Sequence, residues 1–135
     1  MNISEFKLLL AESEFIPKEI LKLFANDKDW EVRVAVAVNP NTSKKVLEIL
    51  AKDEDSYVRA SVAGNPKTPK NILDILSKDK KFWIRALVAK NSNTSKEILE
   101  LLSKDIEHYV RKYVIQNPNV SKEILKVLAK DKDYY

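Results

Sequence analysis

A chain of 135 residues, 33% charged and 44% hydrophobic, is long enough for a packed core and too apolar to remain disordered. With no cysteine and a single histidine, His108, it has the ligands for neither a disulfide, a thiolate or His-cluster metal site, nor a Cys nucleophile. Its formal net charge of +4 leans mildly toward acidic partners.

The chain opens with Met-Asn-Ile-Ser-Glu-Phe-Lys, without the basic start and long apolar run of a signal peptide. No stretch approaches the roughly 20 apolar residues of a membrane span, so no membrane association and a cytoplasmic location are expected. One spacing then organises the rest. Arg33, Arg59, Arg85 and Arg111 stand 26 residues apart, as do Asn39, Asn65, Asn91 and Asn117, and the run Leu21, Leu47, Leu73, Leu99, Leu125. A degenerate copy begins the chain, with Phe6, Leu10 and Ala11 in register with Val32, Val36 and Ala37. The expected units are residues 3–26, 27–52, 53–78, 79–104 and 105–130, with 131–135 the stub of a further repeat, all within one helical-repeat domain over 1–135.

Each unit reads as two short helices. In the first, over 30–38, Val32 and Val36 recur at helical spacing with Ala37 alongside. Asn39-Pro40 is expected to end it, with Asn in the left-handed conformation of a helix terminator and Pro unable to continue. Thr42 occupies the expected N-cap of the second helix. Thr68-Pro69 repeats the turn with Pro at the first helical position, and Thr94 to Glu97 has the spacing of a capping box. The second helix, over 43–51, carries Val46, Leu47, Ile49 and Leu50, a face so wide that stacked units are expected to cover it from both sides. A single glycine, Gly64, argues against a hairpin-rich β fold.

The pattern Asp-x-x-x-x-Val-Arg-x-x-Val-Ala-x-Asn-Pro-x-Thr-Pro/Ser-x-x-Ile/Val-Leu, over about residues 3–131, resembles the leucine-rich repeat variant family and, more loosely, HEAT and armadillo repeats. The resemblance implies an all-α, right-handed superhelical solenoid of about five helix pairs, one helix of each pair partly 3₁₀. Some members carry a Cys-rich iron–sulfur segment, which a chain without Cys cannot share. In this chain Ser92 replaces the repeat's Pro and Val120 its Thr.

The charged pair of each unit is the first candidate for chemistry. Asp27, Asp53, Asp79 and Asp105 each precede, by six residues, one of Arg33, Arg59, Arg85 and Arg111, the chain's only arginines. In the opening copy the arginine position holds Lys7, and the arginine for Asp131 would lie beyond Tyr135. A structural Asp–Arg ladder, as in HEAT-like repeats, is weighed against a row of anion-binding arginines, and the matched numbers favour the ladder. The Asn column reads as helix termination plus a buried side-chain amide bonding a neighbouring turn, in preference to a ligand role. His108 has no nucleophile nearby in sequence and reads as a surface residue. With no phosphate loop, carboxylate pair or metal-ligand spacing, no enzyme, cofactor or small-molecule substrate is expected.

Function is then sought in the variable columns. Helical geometry turns position 31 outward, where Glu31, Tyr57, Trp83 and Tyr109 stand, beside Val34, Val38, Leu87 and Tyr113. Tyr57, Trp83, Leu87, Tyr109 and Tyr113 are the candidate partner-binding residues, because Tyr and Trp anchor protein interfaces; the alternative is that the rings pack between helices. On the second helices, Lys18, Lys44, Lys70, Lys96 and Lys122 form one basic column and Lys52, Lys78, Lys104 and Lys130 another, diluted by Glu19, Glu48, Asp74, Glu97, Glu100 and Glu123. The expected function is a non-enzymatic protein-interaction scaffold with an unidentified protein partner; the alternative is nucleic-acid binding through the lysines.

Overall fold

The computed structural model describes residues 1–132. Among them are ten helices and no strand: α1 (Ile3–Glu12), α2 (Lys18–Phe24), α3 (Trp30–Val38), α4 (Lys44–Leu50), α5 (Ser56–Gly64), α6 (Lys70–Leu76), α7 (Phe82–Lys90), α8 (Lys96–Leu102), α9 (His108–Gln116) and α10 (Lys122–Leu128). All ten are α-helices; bonds of the 3₁₀ type appear in the turns that follow the second helices, such as Lys52 N–H to Ile49 C=O at 3.1 Å. None is long and apolar enough to cross a membrane. Residues 133–135 of the expected stub lie outside the described residues.

The chain forms two compact units, residues 1–68 and 69–135. In the first, α1, α3 and α5 stack side by side, and α2 and α4 pack against the first helices that flank them. In the second, α7 stacks on α9, with α6, α8 and α10 against them. This is the helix-pair stacking of an α-helical repeat fold. Helices of seven to ten residues are too short to persist alone, so burial must hold them. In the first helices small residues allow close stacking: Val32, Ala35, Val36 and Ala37 on α3, and Ile84, Ala86, Val88 and Ala89 on α7, are buried. The second helices bury Val46, Leu47 and Leu50, or their counterparts Ile72, Leu73, Leu76 and Ile98, Leu99, Leu102.

Stacking covers the second helix from both sides, as its wide apolar face suggested, with α4 packed on α3 and α5, but part of that face stays outside. Ile49 remains 52% exposed, and Leu23, Ile75, Leu101 and Val127 in the same column are exposed too. A seven-residue helix packed against two first helices turns two sides inward and leaves the third to solvent. Leu125 is the exception in the buried Leu column, because no described helix follows α10 to cover it.

The turns differ in detail from the expected ones. Among the described residues none has positive φ; Asn39 is extended, at φ −67° and ψ 130°. The following Pro disfavours the helical region and so ends α3 by itself, leaving the Asn amide free for another task. Asn39 Nδ2 donates to Ala11 C=O at 2.7 Å and Ser13 C=O at 3.0 Å, carbonyls at the end of α1. Asn117 does the same to Ala89 and Asn91. At position 91 the turn keeps this geometry with Ser92 in place of Pro. The second helices start one residue later than expected. Ser43, Ser95 and Ser121 are the caps, accepting from the N–H three residues on, and Pro69 stands at the cap position of α6. Thr42, Thr68 and Thr94 are buried instead, their hydroxyls donating to the carbonyls of Val36, Val62 and Val88.

Candidate interaction groove

The charged columns are bound into the fold, but in a different register from the one that spacing suggested. Lys7, Arg33, Arg85 and Arg111 reach the Asp of the next repeat, 20 residues on, rather than, for the arginines, the one six residues before. Arg33 donates from Nε and Nη2 to Asp53 at 2.8 and 3.0 Å, and Arg85 to Asp105 at 2.6 and 2.9 Å. The remaining Nη1 donates to the backbone carbonyl of the residue six before: Arg33 to Asp27, Arg59 to Asp53, Arg85 to Asp79 and Arg111 to Asp105. The carboxylates also cap their own turns, Asp53 Oδ1 accepting from Asp55 N–H at 2.9 Å. Two expectations fall with the register. Asp131 does have an arginine, since Arg111 Nε lies 2.5 Å from it, and Lys7 is no placeholder for a missing partner but pairs with Asp27 at 2.6 Å.

These contacts set the ionisation. Burial works against the charged form of Asp105, but the Arg85 bonds, the Glu107 N–H and the charge of Arg111 outweigh it, and the carboxyl stays below its ordinary range. At Asp27 burial is likewise outweighed by Lys7 and the Asp29 N–H, with the same result. The Asp53 hydrogen bonds raise Arg33, and the Asp105 hydrogen bonds raise Arg85, against desolvation in both cases.

The first helices present a different surface. In unit 1 the capping position before each first helix holds an aspartate: Asp29 accepts from Glu31 N–H at 3.0 Å and Asp55 from Tyr57 N–H at 2.8 Å. In unit 2 the same column holds Lys81 and Glu107, neither of which makes a side-chain cap. Losing a cap costs about 1 kcal/mol. What stands there instead is a cluster of rings. Phe82 lies edge-on to Trp83, with centroids 5.6 Å apart, and stacks on Tyr109 at 6.4 Å and 24°. Lys81 Nζ sits 5.0 Å over the Trp83 ring, and Lys90 Nζ 5.9 Å from that of Tyr113. Phe82, Trp83, Ala86, Leu87, Lys90, Tyr109 and Tyr113 line an open groove of about 430 Å³ between α7 and α9.

Of the residues singled out in sequence, the groove therefore gathers Trp83, Leu87, Tyr109 and Tyr113. Tyr57 belongs to unit 1, where it is exposed and its ring lies 5.6 Å from that of Trp30. Phe82, Ala86, Lys81 and Lys90 escaped the sequence reading. The ring contact between adjacent repeats is diagonal, joining position 30 of one to position 31 of the next, as in Trp30 with Tyr57 and Phe82 with Tyr109. A search along one column misses it. The signal that would have found Lys81 was the column Asp29, Asp55, Lys81, Glu107, where the cap changes sign.

Lys18, Lys44, Lys70, Lys96 and Lys122 are all exposed and each begins a second helix. Acidic neighbours interrupt both lysine columns of unit 2. Lys78 pairs with Asp74 at 3.5 Å, Lys104 approaches Glu100 at 4.0 Å, and Glu97 lies between Lys70 and Lys96 on a polar cleft. Glu97 ionises below its ordinary range, chiefly through a backbone hydrogen bond and the Ser95 hydroxyl, with Lys70 and Lys96 adding to it. His108 is exposed, its ring 4.2 Å from Tyr109.

No curated protein and no solved structure matches the chain. One family model does, over residues 30–55: the leucine rich repeat variant, the family that the motif resembles. The matched segment runs from the start of α3 through α4 to the Asp55 cap of α5, the length of one repeat. Residues 30–55 thus match the leucine rich repeat variant model, and the 26-residue spacing of that segment recurs along the chain.

Proposed function

We propose that the chain is a protein-interaction scaffold and that the α7–α9 groove receives a polypeptide segment of its partner. The observation that carries this reading is the exposed cluster of Phe82, Trp83 and Tyr109. Three large rings lie at one mouth, on helices whose opposite faces are fully buried through Ile84, Val88, Val110 and Val114. Rings of this kind, rigid and half exposed, are the anchors of protein interfaces. The test is selection of displayed random short peptides on the intact protein, with Trp83→Ala/Tyr109→Ala as the comparison. Peptides that bind the protein and lose that double variant, while its helical signal stays intact, support the reading; a selection yielding none sinks it.

A second reading, nucleic-acid binding along Lys18, Lys44, Lys70, Lys96 and Lys122, has their exposure in its favour. Charge reversal at Lys44, Lys70 and Lys96 would then abolish oligonucleotide binding in an anisotropy titration and flatten its salt dependence. The acidic residues between those lysines make it the weaker of the two.

A further inference from the structure

We infer that the segment taken up by the groove is acidic: a short stretch of polypeptide with a bulky apolar anchor flanked by carboxylates. The inference rests on the groove being the binding site, and two independent features of the groove point to the charge.

The first is the sign change at the cap. Asp29 and Asp55 cap α3 and α5, whereas Lys81 stands before α7, where it forms no cap and its positive charge opposes the helix dipole. A position at which the local rule is broken twice, with neither a cap hydrogen bond nor an ion pair among the described residues in return, is where a partner is to be sought. Lys81 is held instead over the Trp83 ring, at the edge of the groove.

The second is the distribution of charge around the rings. Neither α7 nor α9 contains an acidic residue, a lack they share with α5, but α5 is preceded by the capping Asp55 where α7 is preceded by Lys81. Among the described residues Lys81, Lys90 and Lys112 form no ion pair, although Arg85 and Arg111 on the same helices are paired with Asp105 and Asp131. Glu107 at the start of α9 is the acidic exception. Lys81 and Lys90 bracket α7 over roughly 13 Å at the helical rise, the length of about four extended residues. An anchor side chain seated against Trp83 and Leu87 would bring carboxylates before and after it to these two ammonium groups. The aliphatic walls, Ala86 and Leu87, suit a side chain better than a run of stacked bases.

The experiment is the peptide selection above, followed by anisotropy titrations of the enriched peptides with the intact protein, Lys81→Asp and Lys90→Glu. The enriched sequences should place Asp or Glu beside a large apolar residue. Lys81→Asp should bind them about tenfold more weakly at low salt, with the gap closing as salt rises. The same variant should melt at a higher temperature than the parent, because the cap is restored. Lower affinity in a more stable protein cannot be a folding defect. Binders that depend on Trp83 and Tyr109 but show no acidic enrichment, or are indifferent to both lysine variants, overturn the inference and leave the groove in place. Absence of any groove-dependent binder removes the groove reading itself. Trp83-dependent binding of a labelled single-stranded oligonucleotide, in place of peptides, would overturn the inference in favour of base stacking.

Discussion

Asp53 shows how little freedom a repeated charged residue retains. It accepts two bonds from Arg33, one from the Asp55 N–H, and its own carbonyl accepts from Arg59. Its side chain and that of Arg33 are each about 10% exposed. Asp53→Ala therefore leaves a nearly buried guanidinium without its carboxylate, and urea unfolding should show a loss of about 3 kcal/mol. Replacing both members, as Asp53→Leu with Arg33→Met, should recover most of that loss, since the desolvation of both charges disappears with them. A result in which the single variant is neutral would mean that the ladder holds little of the fold's stability.

The same residues set the response to acid. Asp27 and Asp105 ionise below the ordinary carboxylate range when folded. A depressed folded value means that the unfolded chain binds protons first, so the stabilisation is complete above the unfolded carboxylate value near 4 and is lost as pH falls below it. Thermal melts should be flat with respect to these groups at neutral pH and drop on acidification below about pH 4. In Asp105→Asn that acid-dependent drop should be smaller, on a lower baseline.

At the scale of the element, the helices differ in what holds them. The first helices from α3 to α9 bury a full face and carry the Asn and Arg contacts to their neighbours, whereas α1 fully buries Ala11 alone and leaves Ile3, Phe6 and Leu9 more than half exposed. Its N-terminus is well made, with Asn2 and Glu5 forming a reciprocal capping box. Capping contributes about 1 kcal/mol, far less than the burial that α3 enjoys. Native-state hydrogen exchange should accordingly find the amides of α1 losing protection before those of α3; equal protection would show that α1 opens only with the whole of its unit. The turns could be placed from sequence to within a residue, because Asn-Pro and Thr-Pro/Ser restrict the backbone strongly. Which of two adjacent hydroxyls makes the cap could not, since Thr42 and Ser43 have similar capping ability and the choice depends on the carbonyl of Val36 lying within reach of the buried one.

At the scale of the whole molecule, each compact unit divides its first helices between a structural face and a presenting face. In α7, Ile84 is fully buried while Trp83, its neighbour in sequence, is 38% exposed. Ile84→Ala should cost about 3 kcal/mol in urea unfolding through the cavity it leaves. Trp83→Ala/Tyr109→Ala should cost less than that and abolish peptide capture. The reverse ranking, with the ring variant unfolding the protein, would return Trp83 and Tyr109 to the core.

The chain's periodicity determined the architecture by itself. A 26-residue recurrence of Arg, Asn and Leu, with apolar residues at helical spacing and Pro after three of the four Asn, admits only short helix pairs repeated in register, because each feature constrains the backbone locally and recurs at one spacing. Partnership between repeats was decided by tertiary structure. Arg33 meets Asp53 rather than Asp27, Phe82 meets Tyr109, and Ile49 stays in solvent while Leu47 and Leu50 are buried. Spacing within one unit says nothing about the offset at which the next unit stacks. Where the repeats are alike, that offset decides which copy of a residue is touched; where they differ, as at Lys81, Phe82 and Trp83, it decides which surface is left to meet a partner.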